Sequence, residues 1–135
     1  MADNDDVLDP AFLFRHGDAP KPISIPAGEP VFRVGDRGGV MYVLIEGSAD
    51  VLIGGTTVEK ATRGALFGEM GLIDESEKRR ATVIAGTDCT LVPVDLETFH
   101  QLVRRTPQFA TYVMKTVVGR LRRMNAQLLE KQKKE

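Results

Sequence analysis

A glycine-rich loop followed by two arginines is the part of this sequence whose residue types and spacing favour anion binding. Gly68 and Gly71 flank one carboxylate, Glu69, and Arg79 follows ten residues after it at the start of a strand-like segment. Glycine lets backbone N–H groups approach a ligand closely, and a guanidinium matches two phosphate oxygens. A carboxylate only accepts hydrogen bonds, so Glu69 would bind a hydroxyl group. The candidate ligand-binding residues of this segment are Phe67, Gly68, Glu69, Met70, Gly71, Arg79, Arg80 and Ala81.

The same residues also allow a structural interpretation. Glu69 and Arg79 would then form an ion pair beside a glycine turn in a domain that has lost its ligand. Arg80 would be a solvated neighbour instead of a second phosphate contact. Of these two interpretations we favour ligand binding.

Short strands separated by turns are expected to position these residues. Four of the residues 20–30 are prolines, which exclude a helix there, and Val40–Glu46 gives the strongest strand signal. Gly54 and Gly55 are typical of a two-residue hairpin, and residues 86–88 predict another turn. We therefore predict a mainly β fold with flanking helices, an antiparallel β-roll or jelly-roll barrel of about eight short strands with a long C-terminal helix.

The last third of the sequence predicts helices. Asp95 can cap a short helix, and residues 107 to about 132 are expected to form one long helix, roughly 35–40 Å in length. One apolar face of the long helix is suited to the barrel and comprises Phe109, Tyr112, Val113 and Thr116. The other has coiled-coil spacing and comprises Met114, Val117, Leu121, Met124 and Leu128.

The second apolar face predicts a homodimer through the C-terminal helix, because this helix is longer than packing on its own barrel requires. The alternative is that this face only covers the ligand pocket of its own subunit. The predicted organisation is an N-terminal arm with a short helix (1–20), a β-roll (21–106) and the long helix (107–135).

The net charge of −1 is unevenly distributed. Residues 1–103 carry nine Lys/Arg and seventeen Asp/Glu, whereas residues 104–135 carry nine and two. A basic end indicates nucleic acid or an acidic partner, but its position beside an apolar seam favours a solvated flank of a dimer helix. We expect Arg120, Arg122 and Arg123 to lie on that flank.

Several function classes are not favoured by the composition. One cysteine and two histidines exclude an internal disulfide and a multi-histidine metal site. No hydroxyl or thiol nucleophile is paired with a histidine in a recognisable motif, so we expect no enzyme and no cofactor. No apolar stretch is long enough to cross a bilayer and no signal peptide is evident, so we expect a cytoplasmic location.

At the glycine-rich loop and the two arginines that follow it, the sequence resembles the cyclic nucleotide-binding domain family of bacterial transcription activators, kinase regulatory subunits and ion channels. The segment 67–85 is similar to the phosphate-binding cassette of the family, and residues 35–36 and 42–47 match its framework. The resemblance implies that residues 68–71 supply the cassette backbone. It also implies that Glu69 binds the ribose 2′-OH and Arg79 the cyclic phosphate.

Two positions depart from the family pattern. Arg80 stands where the family usually has Ser, Thr or Ala, and the missing hydroxyl, which is associated with cyclic GMP, favours cyclic AMP. Met124 stands where the bacterial activators have a hydroxyl residue that contacts adenine, so Asn125 beside it is a candidate for the base contact. Cyclic GMP stays open as the alternative ligand.

Three functions are compatible with the sequence. The first is a stand-alone cyclic nucleotide sensor that signals through a dimer helix or a separate effector protein. The second is an interaction module with the same fold and no nucleotide ligand. The third is direct binding of nucleic acid or membrane by the basic end. Because residues 1–135 contain no recognisable helix-turn-helix, we do not expect direct DNA binding.

Overall fold

The computed structural model describes residues 20–74 and 78–134. The predicted arm therefore lies outside the described residues, apart from Pro20. The strands are β1 (Ile23–Ile25), β2 (Pro30–Phe32), β3 (Val40–Glu46), β4 (Ala49–Ile53), β5 (Thr56–Ala61), β6 (Leu66–Phe67), β7 (Thr82–Ala85) and β8 (Cys89–Asp95). The helices are α1 (Glu69–Ile73), α2 (Leu96–Arg105) and α3 (Gln108–Lys134).

The eight described strands form two antiparallel sheets of four strands. The first sheet has the order β1-β8-β3-β6 and the second the order β2-β7-β4-β5. Buried side chains from both sheets meet in one apolar cluster, so the sheets pack face to face. The predicted fold class is confirmed, as a jelly-roll-like pair of sheets without a closed hydrogen-bonded barrel.

β3 is buried on both faces, which explains its uninterrupted apolar sequence. Met41 and Val43 pack in the cluster that contains α2 and α3, whereas Leu44 packs between the two sheets. Alternate side chains of a strand point to opposite faces. A strand with a core on each side therefore has no position for a polar residue until it ends at Glu46.

The two predicted turns are present, but the first joins two paired strands of one sheet and the second joins strands of different sheets. Ile53 pairs with Thr56 across Gly54 and Gly55, whose φ angles of 59° and 82° fit the hairpin turn that requires two positive φ values. Residues 86–88 instead link β7 of the second sheet to β8 of the first. This turn therefore carries the chain from one sheet to the other.

The C-terminal helices follow the predicted pattern. The Asp95 carboxylate accepts a hydrogen bond from the Thr98 N–H at 2.8 Å and so caps α2. Phe109 at the start of α3 is fully buried, and Tyr112 and Val113 pack on the same core. Every side chain from 121 to 133 is exposed, so the second half of α3 is not buried in the core of the roll.

None of the helices in residues 20–74 and 78–134 combines the length and the apolar content that crossing a bilayer requires.

Candidate functional site

A cavity of about 550 Å³ lies between the second sheet, the loop that leads into α1, and α3. Its volume is within the range of about 300–1,000 Å³ that is usual for small-molecule sites. Nine of the ten predicted site residues line it: Phe67, Gly68, Glu69, Met70, Gly71, Arg79, Arg80, Ala81 and Met124. The tenth, Asn125, is exposed on α3 and is not among the described residues that line the cavity.

Arg79 is the buried cation of this cavity, with 7% of its surface exposed. Its Nη2 donates to the Val40 carbonyl at 2.6 Å and its Nη1 to the Gly68 carbonyl at 3.3 Å. The guanidinium carbon lies 4.2 Å from the centre of the Phe32 ring, in a cation–π contact. Nε is buried and has no hydrogen-bond partner among the described residues. The guanidinium is therefore held in place while part of its donor capacity stays unused.

The charge of Arg79 has no directly bonded counter-ion in the described part of the chain. Burial lowers the pKa of its guanidinium, and the more distant Tyr42, Asp36 and Glu69 only partly oppose that effect. Arginine nevertheless stays protonated in proteins. A buried cation without a paired anion is costly, so an anion that enters the cavity would remove this cost.

Backbone hydrogen bonds fix the segment that carries Arg79. The backbone N–H of Arg79 donates to the Asp36 carbonyl at 2.7 Å, and the Arg79 carbonyl accepts from the Gly35 N–H at 2.8 Å. A few residues further on, the Gly39 N–H donates to the Gly71 carbonyl at 3.1 Å. The turn at residues 35–39 therefore holds the arginine segment and α1 in one arrangement.

The two glycines of the loop make room for the guanidinium. Gly68 precedes α1 with a φ of 79°, in the left-handed region, and a Cβ there would collide with Nη1 of Arg79. A Cβ on Gly71 would lie 3.0 Å from the same nitrogen. From the sequence, these glycines are expected to allow a close approach of the backbone to a ligand. The structure adds that a side chain at either position would crowd Arg79.

Glu69 is bound by an arginine of α3. Nη1 of Arg120 lies 3.0 Å from Oε1 of Glu69, and the Glu69 side chain is 14% exposed. The alternative ion pair between Glu69 and Arg79 is not formed. Glu69 therefore links the loop of the cavity to the C-terminal helix.

A second carboxylate, Glu59 of β5, completes this link. Arg120 donates to it from Nε at 3.1 Å and from Nη2 at 3.2 Å, and Arg123 approaches it at 3.3 Å. Arg120 also donates to the Leu66 carbonyl. Desolvation by burial raises the pKa of Glu59, but the hydrogen bonds and charges of Arg120 and Arg123 lower it by more, so the net pKa is below the ordinary value.

The expectation that Arg120 lies on a solvated flank of the helix is wrong, because its side chain is only 20% exposed and lines the cavity. The sequence does contain a signal that Arg120 faces the cavity. Arg120 precedes the predicted site residue Met124 by four positions, and residues four apart lie on the same helix face. Glu59 gives no such signal, because it lies in a mostly polar strand. Gln127, one turn beyond Arg123, also lines the cavity and was missed.

Comparisons with known proteins agree with this architecture. The chain is 32% identical over 128 residues to the Cyclic AMP receptor protein of Thermus thermophilus, covering 84% of this chain and 59% of that protein. It is 36% identical over 113 residues to a cyclic nucleotide-gated potassium channel of Mesorhizobium japonicum, covering 84% and 31%. The solved structure of the Thermus thermophilus Catabolite Activator Protein superimposes with a TM-score of 0.69 at 32% identity, covering 81% of this chain and 53% of that chain.

The chain thus spans less than two thirds of the length of each of these relatives. The family described as Cyclic nucleotide-binding domain matches residues 22–106, which include both sheets, the loop at 67–71 and Arg79. This chain belongs to the cyclic nucleotide-binding domain family.

Proposed function

We propose that the domain binds a cyclic nucleotide in the cavity, with cyclic AMP preferred, and that α3 transmits its occupancy to a second copy or a separate effector. The observation that carries the proposal is the buried Arg79, which lines the cavity with an unpartnered Nε and no bonded carboxylate among the described residues. A cyclic phosphate supplies the one negative charge that this guanidinium lacks.

Glu69 contributes the ribose contact in this proposal. Its Oε1 accepts from Arg120, and none of the described donors is bonded to its Oε2. A carboxylate has about four acceptor positions, so the ribose 2′-OH can donate to Glu69 while Arg120 stays bound. Arg120 then holds the carboxylate in place for the ligand.

The preference for cyclic AMP has two supports. Arg80, which lines the cavity, has no hydroxyl of the kind that the family associates with cyclic GMP. A relative with 32% identity is named as a cyclic AMP receptor. Both supports are independent of the phosphate contact, which the two nucleotides share.

The proposed signal passes through α3 because this helix touches the cavity and also carries an exposed apolar face. Arg120 and Met124 line the cavity, and Leu121 and Leu128 are exposed on the face with coiled-coil spacing. A ligand shifts a conformational equilibrium only by its difference in affinity for the two states. The helix contacts at the cavity provide a place for such a difference.

Calorimetric titration with cyclic AMP and cyclic GMP tests the proposal. We expect both to bind, cyclic AMP more tightly, and Arg79→Ala to lose about 2–5 kcal/mol of binding free energy because a buried charge pair is broken. Arg63→Ala removes an arginine outside the cavity lining and should bind as the wild type does. Circular dichroism is the control that checks whether both variants are folded.

Two results would contradict the proposal in different ways. Unchanged affinity of a folded Arg79→Ala variant would show that the phosphate binds elsewhere. Absence of heat for both nucleotides with the wild type would favour the alternative of an interaction module without a nucleotide ligand.

A further inference from the structure

An irregularity in β2 places the side chain of Phe32 beside Arg79. The register of β2 with β7 is Pro30 opposite Ile84 and then Phe32 opposite Val83. β2 therefore has one residue more than β7 across this step, which is a β-bulge. Adjacent side chains of a regular strand point to opposite faces, yet both residues 31 and 32 pack on the cluster between the two sheets. A bulge re-aims a side chain in this way, and Phe32 also lines the cavity.

The ring of Phe32 holds the Arg79 guanidinium from a different direction than its hydrogen bonds do. The guanidinium carbon lies over the ring, 4.2 Å from its centre. Nη1 and Nη2 donate instead to the backbone carbonyls of Gly68 and Val40. A guanidinium is planar and has five N–H donors in a fixed fork, so a ring over its face occupies none of them. The unpartnered Nε is part of the donor capacity that this arrangement leaves unused.

The ring also suits the charge of Arg79. The face of an aromatic ring attracts a cation, and more strongly where water is excluded. Arg79 is 7% exposed. A carboxylate in the place of the ring would attract the guanidinium too, but it would neutralise the charge and occupy donors that a phosphate needs. A neutral ring stabilises the buried cation and leaves both for the ligand.

We infer that Phe32 is a positioning residue for the phosphate contact, an inference that rests on the proposed function. Its ring keeps the guanidinium of Arg79 in the orientation that binds a cyclic phosphate. Phe32 thus acts through Arg79, and the affinity that it contributes depends on the arginine being present.

The alternative is that Phe32 only fills the core, and the neighbouring residue provides the control for it. Val31 packs on the same cluster from the same strand but is not among the described residues that line the cavity. Val31→Ala therefore removes core packing without touching the arginine. Phe32→Leu keeps an apolar side chain and removes the ring, whereas Phe32→Tyr keeps the ring.

Calorimetry with the full chain measures cyclic AMP affinity in these variants, and urea unfolding measures their stability. In Phe32→Leu we expect cyclic AMP affinity to fall on the order of tenfold, because the cation–π contact is lost. Phe32→Tyr should restore most of the affinity. Val31→Ala should lose stability and bind cyclic AMP as the wild type does.

A double-mutant cycle separates an effect through Arg79 from a direct contact between Phe32 and the ligand. Phe32→Leu should cost little further affinity in an Arg79→Gln background, where there is no guanidinium to hold. Competition against a fluorescent cyclic AMP analogue extends the measurement to such weak binding. A direct contact would instead make the loss equal in both backgrounds.

Nuclear magnetic resonance observes the position of the guanidinium without any ligand. The ¹H–¹⁵N resonance of the Arg79 Nε–H is assigned by its disappearance in Arg79→Gln. The ring current of Phe32 shifts protons over its face upfield, so this resonance should move downfield in Phe32→Leu. It should stay in place in Val31→Ala, because a loss of core packing alone does not remove the ring.

Three outcomes would overturn the inference. The first is a Phe32→Leu variant with the cyclic AMP affinity of the wild type. The second is an equal loss of affinity with and without the Arg79 guanidinium, which would assign Phe32 to the ligand or to the core. The third is a wild type that binds neither cyclic AMP nor cyclic GMP. In that case the proposed function fails and this inference falls with it, even where the resonance of Arg79 shows the ring contact.

Discussion

Arg79 is held by two backbone carbonyls and an aromatic ring instead of by a carboxylate. These partners fix the position of the guanidinium without neutralising its charge. Residues 1–103 carry eight more acidic than basic side chains, so their net charge does not favour an anionic ligand. Binding of a phosphate must then come from local donors at short range, where a buried guanidinium is effective.

The crowding between Gly68 and Arg79 leads to a prediction at one residue. Gly68→Ala forces a positive φ on an L-residue, which costs on the order of 1–2 kcal/mol, and it also pushes the guanidinium out of place. We expect lower stability and at least tenfold weaker binding of cyclic AMP, because a short charge-assisted contact depends on geometry. Urea unfolding and calorimetric titration measure the two effects.

Gly28→Ala is the matched control for this prediction. Gly28 has a φ of 87°, and none of the described atoms beyond its chain neighbours lies within 4 Å of where a Cβ would stand, so it shares the backbone strain without the collision. It should lose similar stability and bind cyclic AMP as the wild type does. Equal nucleotide affinity in both glycine variants would contradict a role for Gly68 in positioning Arg79.

At the scale of elements, the sequence predicts those parts of the fold whose signals are local. β3 has the predicted bounds because both of its faces are buried, and α2 begins after Asp95 because a carboxylate caps it. β6 has only two residues, too few for any periodic pattern. The pairing of strands across the two sheets depends on contacts distant in sequence, which a local pattern does not contain.

The candidate site also has one part that the local sequence indicates and another that depends on contacts distant in sequence. The loop at 67–71 and Arg79 are close in sequence, and their residue types indicate anion chemistry. The link from Glu59 to Arg120 joins residues 61 positions apart, on a polar strand and on a helix rich in arginine. Arg120, Arg122 and Arg123 are close together in sequence, so only the packing of the helix on the roll shows that Arg120 bonds both Glu59 and Glu69.

The link between β5 and α3 predicts a pH dependence of stability. The pKa of Glu59 is lowered in the folded chain, so its contribution to stability is complete above the ordinary glutamate pKa of about 4.3 and is lost as the pH falls through the lowered value. Glu59→Gln should cost about 1 kcal/mol at neutral pH, the scale of partly exposed ion pairs. The difference between wild type and variant should shrink in acid.

Urea unfolding of both proteins from pH ~6 to pH ~3 measures this difference. Glu46→Gln is the control, because Glu46 is an exposed glutamate at the end of β3. Hydrogen exchange along α3 should be faster in Glu59→Gln and unchanged in Glu46→Gln. A constant difference between wild type and Glu59→Gln across the pH range would show that Arg120 and Arg123 do not stabilise the ionised form.

At the scale of the whole molecule, the uneven distribution of charge along the chain is explained in part by the contacts of α3. The basic end of the chain includes Arg120 and Arg123, which are bonded to carboxylates of the roll. The apolar side chains Leu121, Met124 and Leu128 are each more than half exposed on the same helix. Part of the basic charge therefore ties the helix to its own roll, and an apolar face is left for another contact.

We predict that this face forms a homodimer. Replacing Leu121 and Leu128 together by Glu should weaken the dimer by at least about 100-fold, since each leucine loses burial worth roughly 2 kcal/mol. Glutamate keeps a high helix propensity, so α3 itself should persist. Leu129→Glu is the matched control, because Leu129 is equally exposed but lies outside the coiled-coil spacing. Sedimentation equilibrium over a range of concentrations measures the dimer constant.

Met124 lies both in the cavity lining and on the apolar face, so ligand binding and dimer formation should be coupled. Linkage then requires that the factor by which cyclic AMP changes the dimer constant equals the factor by which dimer formation changes cyclic AMP affinity. Sedimentation with and without saturating cyclic AMP gives the first factor, and titration of the wild type and the Leu121→Glu/Leu128→Glu variant gives the second. A dimer constant that cyclic AMP leaves unchanged would exclude the dimer as the output of the domain and would direct the search to a separate effector that contacts α3.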